Sequence, residues 1–411
     1  MLSIKYAIIM RKLLILLLFF VFACISSVKS QNKIKPSRQI PILAWMGVPQ
    51  EETSIARYEE LRASGITHNF SMFSNAEAME KALKIAKKTG VKMIVSCPEL
   101  KTDPEKTVRR FMNHPAVAGY YLRDEPGRND FQELGEWAKK IRAIDDKHFC
   151  YLNLLPNYAD ENQLGVKTYR EYVNIFIKEV PLQLLSFDHY PIIGDSSRSV
   201  RENWYENLEI FSDEAAKAKK SFWAFALTVS HGPYPIPTLA ALRLQVYSNL
   251  AYGAQGIQYF TYWTPKDTQW DFHNGPITLE SRRSEVYDKI KLMNGEIKNL
   301  SGVFLDAKLV SVAHTGKSIP LGTKRLLQLP KSIQVLETEG TGAVVSVLEK
   351  GNDLFLVVVN RDLINTMRLT IKGDSTVEKV LKDGSLVPAN TYMSTMVIEP
   401  GDVSIYRWPK K

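Results

Sequence analysis

Cysteine is scarce in this chain of 411 residues: it contains three, and only Cys97 and Cys150 follow the first 30 residues. No Cys and His residues have the spacing of zinc ligands, so the sequence predicts no metal site. Cys97 lies near the C-terminal end of one predicted strand and Cys150 near the N-terminal start of another, at opposite ends of the predicted barrel. Because a disulfide needs closely spaced Cα atoms, both are expected to be buried free thiols.

Nucleotide and nucleic-acid signatures are also absent. The chain has neither a Gly-x-Gly-x-x-Gly turn nor a complete Gly-x-x-x-x-Gly-Lys-Ser/Thr phosphate loop, which weakens any nucleotide-binding function, and no cofactor is expected. Lys and Arg number 53 against 44 Asp and Glu, but the basic residues are interleaved with acidic ones instead of forming runs. This pattern gives no electrostatic footprint for nucleic acid.

A long apolar run occurs only at the N-terminus. Three basic residues within residues 5–12 precede the run Leu13–Ala23, which is short for a membrane span and is typical of a secretory signal. Val28–Ser30 has the small-residue spacing of a signal-peptidase site. Val21–Cys24 also resembles a bacterial lipoprotein cleavage box, in which Cys24 would carry a lipid anchor. Both alternatives predict export, and soluble export is favoured.

From residue 40 to residue 304, short apolar runs alternate with segments whose apolar residues recur every three or four positions. This is the pattern of strands alternating with amphipathic helices. The predicted strands are Ile40–Met46, Thr67–Phe73, Val91–Cys97, Val117–Leu122, Phe149–Leu155, Leu182–Phe187, Phe222–Val229 and Gly256–Trp263. Thr53, Asn75 and Asp103 are predicted helix caps, and an eighth helix is predicted over Glu280–Leu300. Eight repeats in about 260 residues predict a closed (β/α)8 TIM barrel.

The last hundred or so residues have a different pattern. Strand-like runs are separated by Gly-Asn, Asp-Gly and Pro-Gly turn signals, without a helical period. The clearest runs are Ala343–Leu348, Leu354–Val359, Met367–Ile371 and Val403–Trp408. The predicted organisation is therefore a signal peptide over residues 1–30, a linker over 31–39, a barrel over 40–304 and a small antiparallel β-sandwich over 305–411. The sandwich is expected to cover barrel helices rather than to bind carbohydrate.

The fourth predicted strand runs directly into Arg123, Asp124 and Glu125 and stops at Pro126. Burying unpaired charge is costly, whereas catalytic side chains of a parallel barrel sit where strands meet the loops at their C-terminal ends. Glu125 is therefore the first catalytic candidate. The alternative is that the three charged residues form a structural ion-pair cluster.

Residues that follow the predicted strands are expected to line one rim. They are Trp45, Met46, His68, Asn69, Glu99, Arg123, Asp124, Glu125, Asn153, Asn157, Asp188, His189, Tyr190, Ser230, His231, Tyr262, Trp263, Trp270, Asp271 and His273. Such acidic, aromatic and amide groups suit neutral polyhydroxylated ligands. Individually, Tyr262 and Trp263 fit core aromatics, His189 fits a structural histidine, and Asp271 fits a loop-forming role.

Four segments carry a family resemblance: Tyr120–Pro126, Ser186–Pro191, Gly256–Trp263 and the tail Pro400–Trp408. On these the chain resembles clan A of the glycoside hydrolases, in particular the beta-galactosidase-like exported proteins of Bacteroidetes. The resemblance implies a TIM barrel that acts on a carbohydrate substrate.

The resemblance also implies residue roles. Glu125 stands where the family has its acid/base, and Asp124 stands where the family has an Asn that binds the sugar 2-hydroxyl. His189 and Tyr190 match residues that contact the sugar or the nucleophile, and Trp263 matches an aromatic under the reacting sugar. The substrate-binding set is then Trp45, Arg123, Asp124, Asn153, His189, Tyr190, Tyr262, Trp263 and Asp271.

One departure from the family is serious. The family has a nucleophilic Glu on strand seven, but residues 222–232 contain no carboxylate. Hydrolysis needs a second carboxyl group, for which Asp188 is the best candidate and Asp124, Glu99 and Asp271 are weaker ones. With Asp188 activating water and Glu125 as the acid, an inverting mechanism is expected. The alternatives are a barrel that lost its nucleophile and only binds glycan, or another barrel enzyme acting on polar metabolites.

Overall fold

The structure is a computed structural model that describes residues 33–34, 36–194, 198–267, 269–389 and 393–410. Its first part contains eight parallel strands in one sheet, as the alternating pattern predicts. They are β1 (Ile42–Trp45), β2 (His68–Asn69), β3 (Lys92–Val95), β4 (Val117–Asp124), β5 (Phe149–Asn153), β6 (Leu184–Phe187), β7 (Ser221–Leu227) and β8 (Gly256–Phe260). β2 is much shorter than predicted and ends at Asn69 rather than Phe73.

The sheet curls into a nearly closed barrel. Its hydrogen-bonded order is β5-β4-β3-β2-β1-β8-β7-β6, so the first strand lies beside the last. Beyond β5, the Leu154 N–H donates to the Ser186 carbonyl oxygen at 2.9 Å, and Leu154 also bridges to Phe187. The predicted (β/α)8 barrel is confirmed. Since the C-terminal ends of all strands open at one mouth, side chains that follow β4, β5 and β6 are brought together.

A helix follows each strand of the barrel. The helices are α1 (Ile55–Ala63), α2 (Ala76–Thr89), α3 (Pro104–Phe111), α4 (Phe131–Ile144), α5 (Tyr169–Glu179), α6 (Trp204–Lys217), α7 (Leu239–Ala251) and α8 (Glu285–Phe304). Short helical turns and a small hairpin interrupt the loops at Gln50–Glu52, Glu99–Thr102, Arg128–Asp130, Glu161–Leu164, and Ile192–Ile193 with Ser199–Val200.

Side-chain caps set several helix starts. Asn75 accepts from the Ala78 N–H at 2.9 Å and Asp103 from the Lys106 N–H at 3.2 Å, as predicted. α1 is capped by Ser54 rather than Thr53. α8 begins later than predicted, at Glu285, because Ser284 caps it.

Two antiparallel sheets follow the barrel. Their strands are β9 (Lys308–His314), β10 (Ile333–Thr338), β11 (Ala343–Lys350), β12 (Asp353–Asn360), β13 (Met367–Gly373), β14 (Glu378–Val380), β15 (Leu386–Pro388), β16 (Ser394–Ile398) and β17 (Val403–Pro409). The six-stranded sheet has the order β9-β11-β12-β17-β14-β15, and the three-stranded sheet has the order β10-β13-β16. Apolar side chains of both sheets, among them Leu356 and Leu369, form a shared core. The other face of the six-stranded sheet packs against α7.

Cys97 and Cys150 are buried and free, which confirms that prediction. The predicted signal peptide and Cys24 lie outside the described residues. Among the residues that are described, no helix is long and apolar enough to cross a membrane.

Candidate active site

A cleft of about 290 Å³ opens at the C-terminal ends of the barrel strands. It is lined by Trp45, Asp124, Glu125, Asn153, Tyr158, Asp188, Tyr190, Phe225, His231, Tyr234, Phe260, Trp270 and Phe272. All three lining carboxyl groups come from the ends of β4 and β6, and aromatic rings form most of the remaining wall. The cleft is therefore a polar patch facing an aromatic surface.

Local backbone geometry presents two consecutive carboxyl groups to this cleft. β4 ends at Asp124, and Glu125 has a positive φ of 43°, which is uncommon for a residue other than glycine. The Glu125 N–H donates to the Asn153 carbonyl oxygen at 2.9 Å and holds this turn against β5. In a regular strand, adjacent side chains would point to opposite faces. The turn at Glu125 instead lets Asp124 and Glu125 both line the cleft.

Asp124, Glu125 and Asp188 form a carboxyl trio organised by one amide. Asn153 Nδ2 lies 2.9 Å from Asp188 Oδ1 and 3.2 Å from Asp124 Oδ1, and donates a hydrogen bond to each. The carboxyl groups of Glu125 and Asp188 are themselves close enough to share a hydrogen bond. Two carboxyl groups in such contact need a proton between them, because two negative charges would repel.

Burial raises the pKa of every member of the trio, and repulsion adds to this for Asp124 and Asp188. Desolvation, followed by the charge of Glu125, raises the pKa of Asp124 to about 7. Desolvation also raises the pKa of Glu125, and desolvation with the charges of Glu125 and Asp124 raises the pKa of Asp188 well above its usual range. Asp124 and Glu125 keep solvent-accessible surface at the cleft mouth, yet protein surrounds them on the other sides. Such a site favours the protonated form of a carboxyl group.

The aromatic wall is built from neighbouring strands and their loops. Tyr190 packs against Phe260 with ring centres 5.3 Å apart and against Tyr234 at 5.8 Å. His231 lies over Phe272 at 4.4 Å, and burial lowers its pKa. Trp45 packs on Phe70, Tyr121, Tyr151 and Phe225 inside the barrel. Such ring faces can cover the apolar side of a sugar.

Six predicted site residues meet in the cleft: Trp45, Asp124, Glu125, Asn153, Asp188 and Tyr190. His231 and Trp270, also predicted at the rim, line it as well. Arg123 lies beside the trio in sequence but makes its ion pair with Asp130 at 3.2 Å. Glu125 is therefore not held in a structural bridge with Arg123.

Four other predicted site residues do not line the cleft. His189 is buried behind Tyr158, whose ring centre is 4.9 Å away, with Asn203 3.4 Å from its Nε2; burial lowers the pKa of His189 to about 3. The side chain of Asp271 is 94% exposed and faces solvent.

Tyr262 and Trp263 lie on the outside of the barrel. Tyr262 is fully buried in the core between strands and helices, and Trp263 packs under the Arg57 guanidinium at 5.2 Å. Tyr262 and Trp263 are therefore core aromatics, which was the alternative interpretation of these two residues from the sequence. Phe260, three residues before Trp263, supplies the aromatic ring of this strand to the cleft.

Sequence reasoning missed five lining residues: Tyr158, Phe225, Tyr234, Phe260 and Phe272. Phe225 and Phe260 lie within strands, where the alternation of inward-facing and outward-facing side chains would have identified them. The other three lie on loops, whose paths have no comparable sequence signal. Glu99, a weaker candidate for the second carboxylate, accepts a hydrogen bond from the Ala76 N–H at 3.0 Å at the start of α2 instead. Within the described ranges, no group of three His, Cys, Asp or Glu residues could hold a metal ion.

No family model matches this chain, and no curated protein matches it in sequence. The fold matches solved structures. A catalytic mutant of a GH42 beta-galactosidase from G. stearothermophilus is 9% identical with a TM-score of 0.63, covering 92% of this chain and 100% of that chain. A beta-galactosidase from Bacillus circulans sp. alkalophilus is 8% identical at 0.58, covering 90% and 99%. An alpha-amylase from Geobacillus thermoleovorans, complexed with acarbose, is 10% identical at 0.55, covering 91% and 100%. At these identities the similarity shows the fold, a TIM barrel like those of glycoside hydrolases.

Proposed function

We propose that this protein is a glycoside hydrolase that cleaves O-glycosidic bonds of an oligosaccharide or polysaccharide, with Glu125 as the general acid/base. The observation that carries the proposal is the contact between the carboxyl groups of Glu125 and Asp188 in an aromatic-walled cleft. Glycoside hydrolysis requires one carboxyl group that donates a proton and a second that is ionised. A pair that shares one proton can supply both forms.

The accessibility of the two groups, rather than their pKa values, assigns their roles, because a leaving oxygen in the cleft can reach the exposed Glu125. Glu125 is exposed at the cleft mouth, whereas Asp188 is 7% exposed and accepts the Asn153 N–H. When the shared proton lies on Glu125, that side chain can protonate the leaving oxygen. Asp188 is then left ionised, and the amide hydrogen bond stabilises its charge.

The separation of the two carboxyl groups decides the stereochemical outcome of hydrolysis. An inverting enzyme holds its carboxyl groups about 6.5–9.5 Å apart to admit a water, whereas a retaining enzyme holds them about 5–5.5 Å apart. The inverting mechanism expected from the sequence, with Glu125 as the acid and Asp188 activating water, stays a prediction. The anomeric form of the first product, followed by proton NMR, tests this step.

Fold and lining both support a carbohydrate substrate. Solved structures of similar fold include two beta-galactosidases and an alpha-amylase, the last complexed with acarbose. In this chain, Trp45, Tyr190 and Phe260 offer ring faces beside the carboxyl trio. Rings opposite hydrogen-bonding groups match the two faces of a sugar.

The decisive experiment compares leaving groups. Glu125→Gln and Asp188→Asn are assayed on aryl glycosides with good and poor leaving groups. Loss of the acid should slow poor leaving groups by about 10²–10⁴-fold and spare good ones, since good leaving groups need little protonation. Loss of the Asp188 carboxylate should slow both, because either mechanism needs a second ionised carboxyl group. Asp271→Asn, an exposed carboxylate outside the cleft, is the control and should remain active. Equal rates in wild type and both cleft variants would contradict the proposal.

One observation favours a second function, glycan binding without hydrolysis. β7 and its loop contribute Phe225 and His231 to the cleft, and residues 222–232 contain no carboxylate. A wild-type protein that hydrolyses no glycoside in the panel, yet changes its tryptophan fluorescence on glycan binding, would establish this function instead.

We also propose that the protein is exported, on the pattern of residues 1–30 alone. Cell fractionation tests export. Cys24→Ala separates the two routes, because it would release a lipid-anchored protein from the membrane fraction and leave a soluble one unchanged.

A further inference from the structure

A buried chain of hydrogen bonds runs through the barrel interior to the carboxyl trio. The Tyr151 hydroxyl donates to Gln258 Oε1. Gln258 Nε2 then donates to Ser186 Oγ at 2.8 Å, and Ser186 Oγ donates to Asn153 Oδ1 at 2.8 Å. All four residues are at most 2% exposed. The chain links β5, β6 and β8 and ends at the amide that contacts Asp124 and Asp188.

The hydrogen bonds run in one direction along this chain. An amide nitrogen can only donate and an amide oxygen can only accept. Ser186 therefore accepts from Gln258 and uses its single proton on Asn153 Oδ1. With its oxygen engaged, Asn153 must point its N–H groups at Asp188 Oδ1 and Asp124 Oδ1.

We propose that Gln258 and Ser186 are positioning residues of the proposed hydrolase, which hold the Asn153 amide with its N–H groups on Asp124 and Asp188. Neither residue lines the cleft. They act through Asn153 and keep it from turning its oxygen toward the carboxyl groups. A turned amide would remove two donors and place an acceptor against the trio, which favours the protonated forms.

Other titratable groups near the trio do not compete for this role. Tyr121 on β4, Tyr151 on β5, and Tyr158 and Tyr190 on the following loops all have pKa values raised first of all by burial. They stay neutral over the range in which the trio titrates. His231 approaches from the loop after β7, and burial lowers its pKa. Arg201 lies beyond the wall, stacked on Tyr158 at 4.7 Å.

The test is a carboxyl titration of the whole protein, labelled with carbon-13 at the aspartate carboxyl groups and followed by NMR. The signals of Asp124 and Asp188 are assigned by their loss in Asp124→Asn and Asp188→Asn. Two variants break the chain without adding charge: Ser186→Ala and Gln258→Met. Tyr259→Phe is the matched control, since Tyr259 neighbours Gln258 on β8 and donates to the Asn294 amide at 2.7 Å, outside the chain.

Both chain variants should raise the titration midpoints of Asp124 and Asp188 by about one pH unit, the scale on which a carboxyl group responds to a hydrogen bond. Tyr259→Phe should leave the midpoints in place, even if its melting temperature falls. Unchanged midpoints in a folded Ser186→Ala protein would overturn the proposal. If Ser186→Ala does not fold, unchanged midpoints in a folded Gln258→Met protein would overturn it instead.

The catalytic consequence rests on the proposed function and has its own readout. In the chain variants, the acidic limb of the pH–rate profile should move to higher pH, and raising the pH should restore the rate. If no glycoside is hydrolysed, the proposed function fails while the titration still decides the role of the chain. A lower rate at every pH, without a displaced limb, would contradict positioning.

Discussion

Asp124 lines the cleft, and its position there lowers the stability of the folded protein at neutral pH. Desolvation and the Glu125 charge raise its pKa to about 7 in the folded protein, against about 3.9 in an unfolded chain. A group whose pKa is raised on folding contributes stability below its unfolded pKa, and that contribution is lost as the pH rises through the folded pKa. The loss therefore develops between about pH 4 and pH 7.

Asp124→Asn should remove this pH dependence. We expect the melting temperature of the variant to equal that of wild type near pH 4, and to exceed it by about 1–3 °C at pH 8. Differential scanning calorimetry at both values measures the difference. Asp271→Asn should show no such divergence, because the Asp271 side chain faces solvent. A constant offset for Asp124→Asn at all pH values would exclude this explanation.

The sequence located Glu125 but did not predict the contacts that Glu125 makes with neighbouring residues. A strand that ends in charged residues marks a barrel mouth, so Glu125, Asp124 and Asp188 were predictable. The positive φ of Glu125, which turns adjacent carboxyl groups into one cleft, has no signal in the residue type. Trp263 was assigned to the cleft by family resemblance, whereas the chain beyond Phe260 leaves the barrel interior.

Among the helices, α8 carries a buried carboxylate that joins the barrel to the C-terminal sheets. Glu296 is 8% exposed and receives hydrogen bonds from Arg243 on α7, from Tyr247 at 2.5 Å, and from Lys382 at 2.8 Å. Burial opposes its charge, but the Arg243 hydrogen bond and the Lys382 charge outweigh this and lower its pKa. Its contribution to stability is therefore present above the unfolded pKa and is lost as the pH falls.

Glu296→Gln should destabilise the protein by about 2 kcal/mol at pH 7, because it removes one of the two carboxylates, Glu296 and Asp402, that pair with Arg243 and Lys382. The free energy of unfolding in urea measures this effect. The control is Glu285→Gln on the same helix, whose exposed pair with Lys289 spans 3.2 Å; such pairs contribute only about 0–1 kcal/mol. Similar losses for the two variants would indicate that the buried network has no special role.

The elements of the barrel were more predictable than those of the C-terminal sheets. Each barrel strand is an apolar run, and the segments beside it have apolar residues at helical spacing. The sequence pattern therefore identified all eight strands. β14 and β15 are only 3 residues long. Such strands are too short for an alternation of apolar and polar residues to be distinguished from chance. β2 was overestimated for the opposite reason: the apolar run continues to Phe73, but only His68 and Asn69 pair with neighbouring strands.

Across the whole molecule, α7 connects the C-terminal sheets to the cleft. Its residues are buried almost throughout, because the barrel covers one side and the six-stranded sheet covers the other. Gln245 accepts from the Leu227 N–H at 2.9 Å, and Asn249 donates to the Phe225 carbonyl oxygen at 2.9 Å. Since Phe225 lines the cleft, the sheet supports the strand that positions this part of the aromatic wall.

Adjacent residues of β12 point to opposite faces of the six-stranded sheet. Val357 belongs to the core shared with the barrel, and Val358 to the core between the two sheets; both are fully buried. Replacing either by alanine removes similar apolar contacts, at a cost of about 2 kcal/mol. Val357→Ala should therefore increase amide hydrogen exchange in α7 and β7, whereas Val358→Ala should increase it in β10, β13 and β16. The same exchange pattern in both variants would show that the sheet does not stabilise α7 through this contact, and that the cleft depends on the barrel alone.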